Sequence, residues 1–194
     1  MRKALVILVA FLLLTGITFG AEYPVDKGST MISGGFGFAN ASGNLYEDSK
    51  GNSATTLQID SRVLRFVIPN FGLGGAVKLS RASQGDNSNT MLAIGPELGY
   101  FVGGPDSKTY PFFGMGFGYL RNSFERGSWG GEKYEFTSSG TKFWFGAGVA
   151  FMVGSHLAIG CEGTYNLDNL KPEDGKSESG SILILSVGLA GFIF

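Results

Sequence analysis

The segment from Lys142 to Leu167, KFWFGAGVAFMVGSHLAIGCEGTYNL, admits few folds. In its first arm Phe143, Phe145, Ala147, Val149 and Phe151 share one parity, and Lys142, Trp144, Gly146, Gly148 and Ala150 the other. After Val153-Gly154-Ser155 the pattern resumes, with Leu157, Ile159, Cys161, Tyr165 and Leu167 set against His156, Ala158, Gly160, Glu162 and Thr164. A period of two belongs to strands, not helices. The segment therefore reads as an antiparallel hairpin with one bulky apolar face and one small, polar face. A soluble barrel would bury the bulky face and hydrate the other, yet glycine is a poor choice for a hydrated strand surface. If the bulky face meets lipid and the small face lines a narrow barrel, one arrangement explains both compositions.

The same alternation recurs along the chain. Strands are expected over Gly28–Asn40, about Ala54–Ile68, Phe71–Leu79 and beyond, about Thr90–Val102, Tyr110–Arg121, the two arms of the hairpin, and Ser181–Phe194. Their apolar sets include Phe36 and Phe38, Leu57 and Ile59, Leu92 and Ile94, and Phe113, Met115 and Phe117. In the second strand the phase is expected to change near Val63-Leu64, so that Leu64, Phe66 and Ile68 turn outward and Arg65 inward, as a β-bulge would allow. Polar segments Ala41–Ser53, Ser83–Asn89, Asn122–Ser139 and Asp168–Gly180 read as loops. Short turns alternate with these longer connections, the asymmetry of an eight-stranded antiparallel up-and-down transmembrane β-barrel with both termini in the periplasm.

The N-terminus has the layout of an export signal. Arg2 and Lys3 precede the apolar run Ala4–Leu14, and small residues follow, so cleavage is expected after Gly20 or Ala21 and the barrel domain spans 22–194. The alternative is an uncleaved anchor helix. The formal charge of -1 gives no basic footprint for nucleic acid. Cys161 is the single cysteine, so no internal disulfide can form, and its parity sets it on the lipid face.

Four stretches carry a family resemblance: IGPELGYF (Ile94–Phe101), TYPFFGMGFGY (Thr109–Tyr119), FGAGVAFMVGSHLAIGCEGTYNL in the hairpin, and the terminal Phe194. Together they resemble the small eight-stranded outer-membrane β-barrels of the OmpA, OmpX and OmpW type, across the whole mature chain. The resemblance implies a bacterial outer-membrane location, contact with outer-membrane lipid and lipopolysaccharide, and a C-terminal signal read by the barrel-insertion machinery. Phe192 and Phe194 match that signal. Leu183, Leu185, Val187 and Leu189 lie in the opposite register, so a second phase change is expected near Ala190.

By parity the inward charges are Asp60, Arg62, Arg65, Lys78, Glu97, Lys142 and Glu162. Buried charges are costly alone, so they are expected to pair across an interior that is filled rather than open; the alternative for each is a place at the rim, in water. Tyr23, Tyr100, Tyr110, Tyr165 and Trp144 are candidates for interfacial girdles, with Trp144 alternatively filling the interior.

No catalytic, cofactor-binding or metal-binding set emerges. His156 is the lone histidine and falls at a short turn, away from the longer connections. Gly146-Ala147-Gly148 and Gly114-Met115-Gly116 sit inside strand alternation, not before a helix, which excludes a dinucleotide loop. The resulting expectation is a monomeric, non-enzymatic barrel with a structural or surface-interaction role exercised through its extracellular loops. The alternatives are a narrow porin or carrier for small apolar molecules, or a soluble lipocalin-like carrier.

Overall fold

The computed structural model describes residues 21–42, 54–84, 87–127, 133–171 and 177–194; the expected export signal lies outside them. Eight strands follow in order: β1 Thr30–Ser42, β2 Ala54–Ile68, β3 Phe71–Gln84, β4 Asn87–Phe101, β5 Thr109–Gly127, β6 Lys133–Met152, β7 Leu157–Lys171 and β8 Glu178–Ile193. Each pairs antiparallel with its neighbour in sequence, and β8 returns to β1, so the barrel is closed without an edge. Strands several polar residues longer than their apolar cores extend the wall past the greasy band. Segments read as loops from their polarity, such as Asn122–Gly127 and Ser83-Gln84, are therefore ladder, with Asn122 opposite Met91 and Ser83 opposite Thr55 and Ser88.

The wall is sorted as the period of two demands. Outward-facing Phe36, Phe38, Phe113, Phe117, Phe143, Leu185 and Val187 are exposed, Leu185 by 68% of its surface. Burying such a band in hydrocarbon removes it from water, and closure satisfies every ladder amide internally.

Two expected phase changes do not occur. In β2 the inward set runs on from Asp60 and Arg62 to Leu64 and Phe66, each of the latter pair 1% exposed, and the irregularity falls later, between Phe66 and Ile68. Arg65 consequently lies on the opposite parity to Asp60 and Arg62, half-buried, with Nη1 donating to Thr30 Oγ1 at 3.0 Å. In β8 the alternation is unbroken: Ile182, Ile184, Ala190 and Phe192 are buried inside while Leu183, Leu185, Val187 and Leu189 face out. Phe194 follows the strand and packs, partly buried, against the end of the barrel.

The interior is layered. At the end carrying both termini, Met31, Leu64, Phe66, Phe101, Tyr110, Phe112 and Phe192 form an apolar stopper closed by Val25, which has no exposed surface. Phe101 stacks on Phe112 and meets Phe66 edge-on, at 5.2 and 5.3 Å between centroids. Tyr110 is part of this stopper, not of a girdle, and its hydroxyl donates to the Gly104 carbonyl at 3.0 Å. Toward the other end Ala39, Met91, Ala93, Leu120, Leu170, Ile182 and Ile184 make a second apolar cluster. Charge occupies the layer between.

Candidate functional site

The central layer is built by β2, β3, β4, β6 and β7. Arg62 on β2 is its hub, 7% exposed. Its Nη2 donates to Asp60 Oδ2 at 3.1 Å and to Glu162 Oε2, and its Nη1 lies 3.1 Å from Glu97 Oε1. One guanidinium thus meets three carboxylates from three strands, a use suited to its planar set of five donors. Lys78 Nζ lies 3.9 Å from Asp60 Oδ2 and 5.4 Å from the centre of the Trp144 ring, so it faces an acid and an aromatic ring. Trp144 Nε1 donates to Glu97 Oε2 at 2.8 Å, and Thr164 Oγ1 to Glu162 Oε1 at 3.1 Å.

Lys142 stands apart from this group, paired across the β6–β7 ladder with Asp168 at 3.0 Å. Both are buried. Asp168 opens a polar stretch with the look of a loop, yet it lies on the β7 ladder and continues the inward parity of Glu162, Thr164 and Asn166. Arg65 belongs to neither group.

Glycine makes room for these side chains. Gly116 is the β5 partner of Trp144, and a Cβ there would overlap the indole and stand 2.6 Å from the Pro96 carbonyl. Gly146 leaves space for the Glu162 carboxylate, and a Cβ at Gly35 would lie 2.6 Å from Asp60 Oδ1. Glycines on β1, β5 and β6 thus make the bed on which long side chains from adjacent strands lie.

Beneath Asp60, Arg62 and Glu162, and above Phe101 and Phe112, is a cavity of about 50 Å3 also lined by Ser33 and Ser186. It is large enough for a few water molecules. On the outer wall a groove of about 500 Å3 runs over Ala147 and Gly163 between Phe36, Phe38 and Leu185. The two hollows share Cys161, Glu162, Ser186 and Val187 as lining.

His156 lies at the β6–β7 turn, with Nδ1 3.1 Å from the Phe192 carbonyl and its ring 4.5 Å from that of Phe194. It fastens the C-terminus to the turn. Among the described residues no group of three or more His, Cys, Asp or Glu side chains is disposed to hold a metal ion.

The model of the outer membrane protein β-barrel domain matches residues 9–189. The chain is similar to the crystal structure of neisserial surface protein A, with a TM-score of 0.62 at 18% identity over 87% of this chain and 100% of that one. It is similar also to Ail, the attachment invasion locus protein of Yersinia pestis (TM-score 0.53, 16% identity, 86% and 99% of the two chains). A third likeness is to the N-terminal β-barrel domain of OprF from Pseudomonas aeruginosa (0.51, 9%, 86% and 98%). At these identities the likeness is one of fold. No curated protein sequence matches the chain.

Proposed function

The chain belongs to the outer membrane protein β-barrel domain family and resides in the bacterial outer membrane, and from that premise we propose that it is a sealed, non-enzymatic barrel that acts at the cell surface through the segments joining its strands. The observation that carries the reading is the three-layer filling of the interior. A solute crossing the lumen would have to displace the Phe66–Phe101–Phe112 stopper, break the Arg62 group, and part the Met91–Leu120–Ile184 cluster. With the pore obstructed, what remains for interaction is the end of the barrel away from the termini, where β1 gives way to β2, β5 to β6 and β7 to β8. Planar-bilayer recording tests the seal: the reading expects no stable single-channel steps, and frequent large steps would overturn it. Whole cells carrying the barrel with 43–53 or 172–176 shortened should lose adhesion to surfaces or ligands that the full-length barrel supports.

A second reading, a carrier of small apolar molecules, draws on one observation: the inner cavity and the outer groove have the β7–β8 wall in common at Cys161, Glu162, Ser186 and Val187. Uptake of an apolar fluorophore into proteoliposomes above that of empty vesicles would favour it over the first.

A further inference from the structure

One negative charge is left over inside the barrel. Among the described residues the enclosed acids are Asp60, Glu97, Glu162 and Asp168, and the enclosed cations are Arg62, Lys78 and Lys142. Lys142 is taken up by Asp168, so Arg62 and Lys78 face the other three carboxylates alone. Apolar clusters close this layer on both sides along the barrel, and the wall around it faces hydrocarbon. A net charge is expensive to hold in such a place without a companion.

The surplus has an address. Glu97 gives one oxygen to Arg62 and the other to Trp144, and Glu162 gives one to Arg62 and the other to Thr164. At Asp60 both cations crowd the same atom: Oδ2 lies 3.1 Å from Arg62 Nη2 and 3.9 Å from Lys78 Nζ. Asp60 Oδ1 has no hydrogen-bonding partner, although the residue is only 6% exposed. That oxygen stands on the side of Gly35, where a Cβ would come within 2.6 Å of it, and both residues line the inner cavity of about 50 Å3. Ser33 and Ser186 line it too. The Ser186 hydroxyl donates its proton to the Glu162 carbonyl at 3.4 Å, which leaves its own lone pairs for another partner. Arg62 and Glu162 complete the polar wall, and Phe101 and Phe112 the floor.

We infer that this cavity is a binding site for one alkali-metal cation, of the size of sodium or potassium, seated against Asp60 Oδ1 with the hydroxyl oxygens of Ser33 and Ser186 and enclosed water completing its shell. The donors are hard oxygens, which suit such an ion and not a thiophilic metal. A single positive charge cancels the surplus, whereas a divalent ion would leave a surplus of the opposite sign beside Arg62. A bulky organic cation exceeds the space, which admits one small ion and a water or two. The inference needs the filled interior but not the surface role, and either can fail alone.

The test reads the folding equilibrium of the full chain by urea titration in phosphatidylcholine vesicles, whose headgroups carry no net charge, with N-methylglucamine chloride holding the ionic strength constant. Raising sodium or potassium from about 1 to about 100 mM should raise the folding constant by about tenfold, the gain for a site half-filled at roughly 10 mM. Asp60→Asn removes both the surplus charge and the unpartnered carboxylate oxygen, and should abolish that response whatever it does to stability itself. Glu178→Gln, at the exposed start of β8, should retain it in full. Should D60N not fold, by heat-modifiable gel mobility, S33A/S186A keeps every charge and should cut the response severalfold. No difference between the alkali cations and N-methylglucamine in the intact barrel would overturn the proposal, as would an undiminished response in D60N or S33A/S186A, or an equal loss in E178Q. So would a stability that follows pH but neither ion, which would make a proton the missing companion.

Discussion

The indole N–H of Trp144 on β6 donates to Glu97 Oε2 on β4 at 2.8 Å, across β5, and the same carboxylate meets Arg62 through its other oxygen at 3.1 Å. Glu97 is 1% exposed and Trp144 2%. One side chain therefore ties an aromatic donor to the hub of the charged layer.

Removing it should be expensive. Glu97→Ala leaves a buried guanidinium short of a counter-charge and an indole without an acceptor, and should cost about 3–5 kcal/mol. Glu97→Gln keeps an acceptor for Trp144 and should cost less, about 1–3 kcal/mol. Urea unfolding of barrels refolded into lipid vesicles measures both, and equal, small losses would show that Arg62 is satisfied without Glu97.

Space at Gly116 is the other half of that arrangement. A methyl group there meets the Trp144 ring and a backbone carbonyl at once, so Gly116→Ala should destabilise by about 1–3 kcal/mol through overpacking. Gly104→Ala meets nothing within 4 Å and is expected to leave stability unchanged. The contrast is read from the same unfolding curves, and a neutral G116A would mean that the ring has another place to go.

Orientation in lipid is tested on β8, where neighbours in sequence have opposite surroundings. Leu185→Arg puts a charge on the most exposed apolar position of the wall and should cost about 2–4 kcal/mol in a bilayer. The same substitution on a water-facing wall would be nearly neutral, so a small effect in vesicles would remove Leu185 from the hydrocarbon.

The stopper yields a functional readout. Phe101→Ala deletes a ring that touches both Phe66 and Phe112, at an expected cost of about 3–5 kcal/mol. In combination with Val25→Ser it should admit water from the end carrying both termini, seen as reaction of a cysteine placed at Ala190 with a membrane-impermeant maleimide in a Cys161→Ser background. An intact stopper should leave that cysteine unlabelled.

Strand number, closure and the outward face were legible because Phe113–Phe117 and Phe143–Phe151 alternate with glycine and leave no doubt about parity. Where both faces are apolar, parity carries no signal. In Val63-Leu64-Arg65-Phe66 the inner stopper and the outer band each supply hydrophobic residues, so the apolar set Leu64, Phe66 and Ile68 looks like the outer face although Leu64 and Phe66 are buried inside. β8 misleads in the same way, with Ile182 and Ile184 inside and Leu183 and Leu185 outside. Polar strand ends fail for the converse reason: past the lipid, ladder residues such as Asn122 and Asp168 need no apolar neighbours and look like loop. Arg62, Lys78, Glu97 and Glu162 could be put inside by alternation alone. Which of them meet could not, since partners from β2, β4 and β7 are brought together only by curvature.

Val25 sits at the end of that curvature. It is held by Asn70, whose amide donates to the Val25 carbonyl at 2.7 Å while its own carbonyl accepts from Phe101 at 2.8 Å, from a backbone with φ of 70°. The residues it packs among come from β1, β2, β4, β5, β6, β7 and β8. The whole cluster exists only once the first and last strands have met, since Met31 and Phe192 are partners across that seam. Slow amide exchange along the β1–β8 ladder is thus the timestamp for the completed cylinder, while the Asn70 amide, bonded to the segment before β1, reports only the seating of Val25.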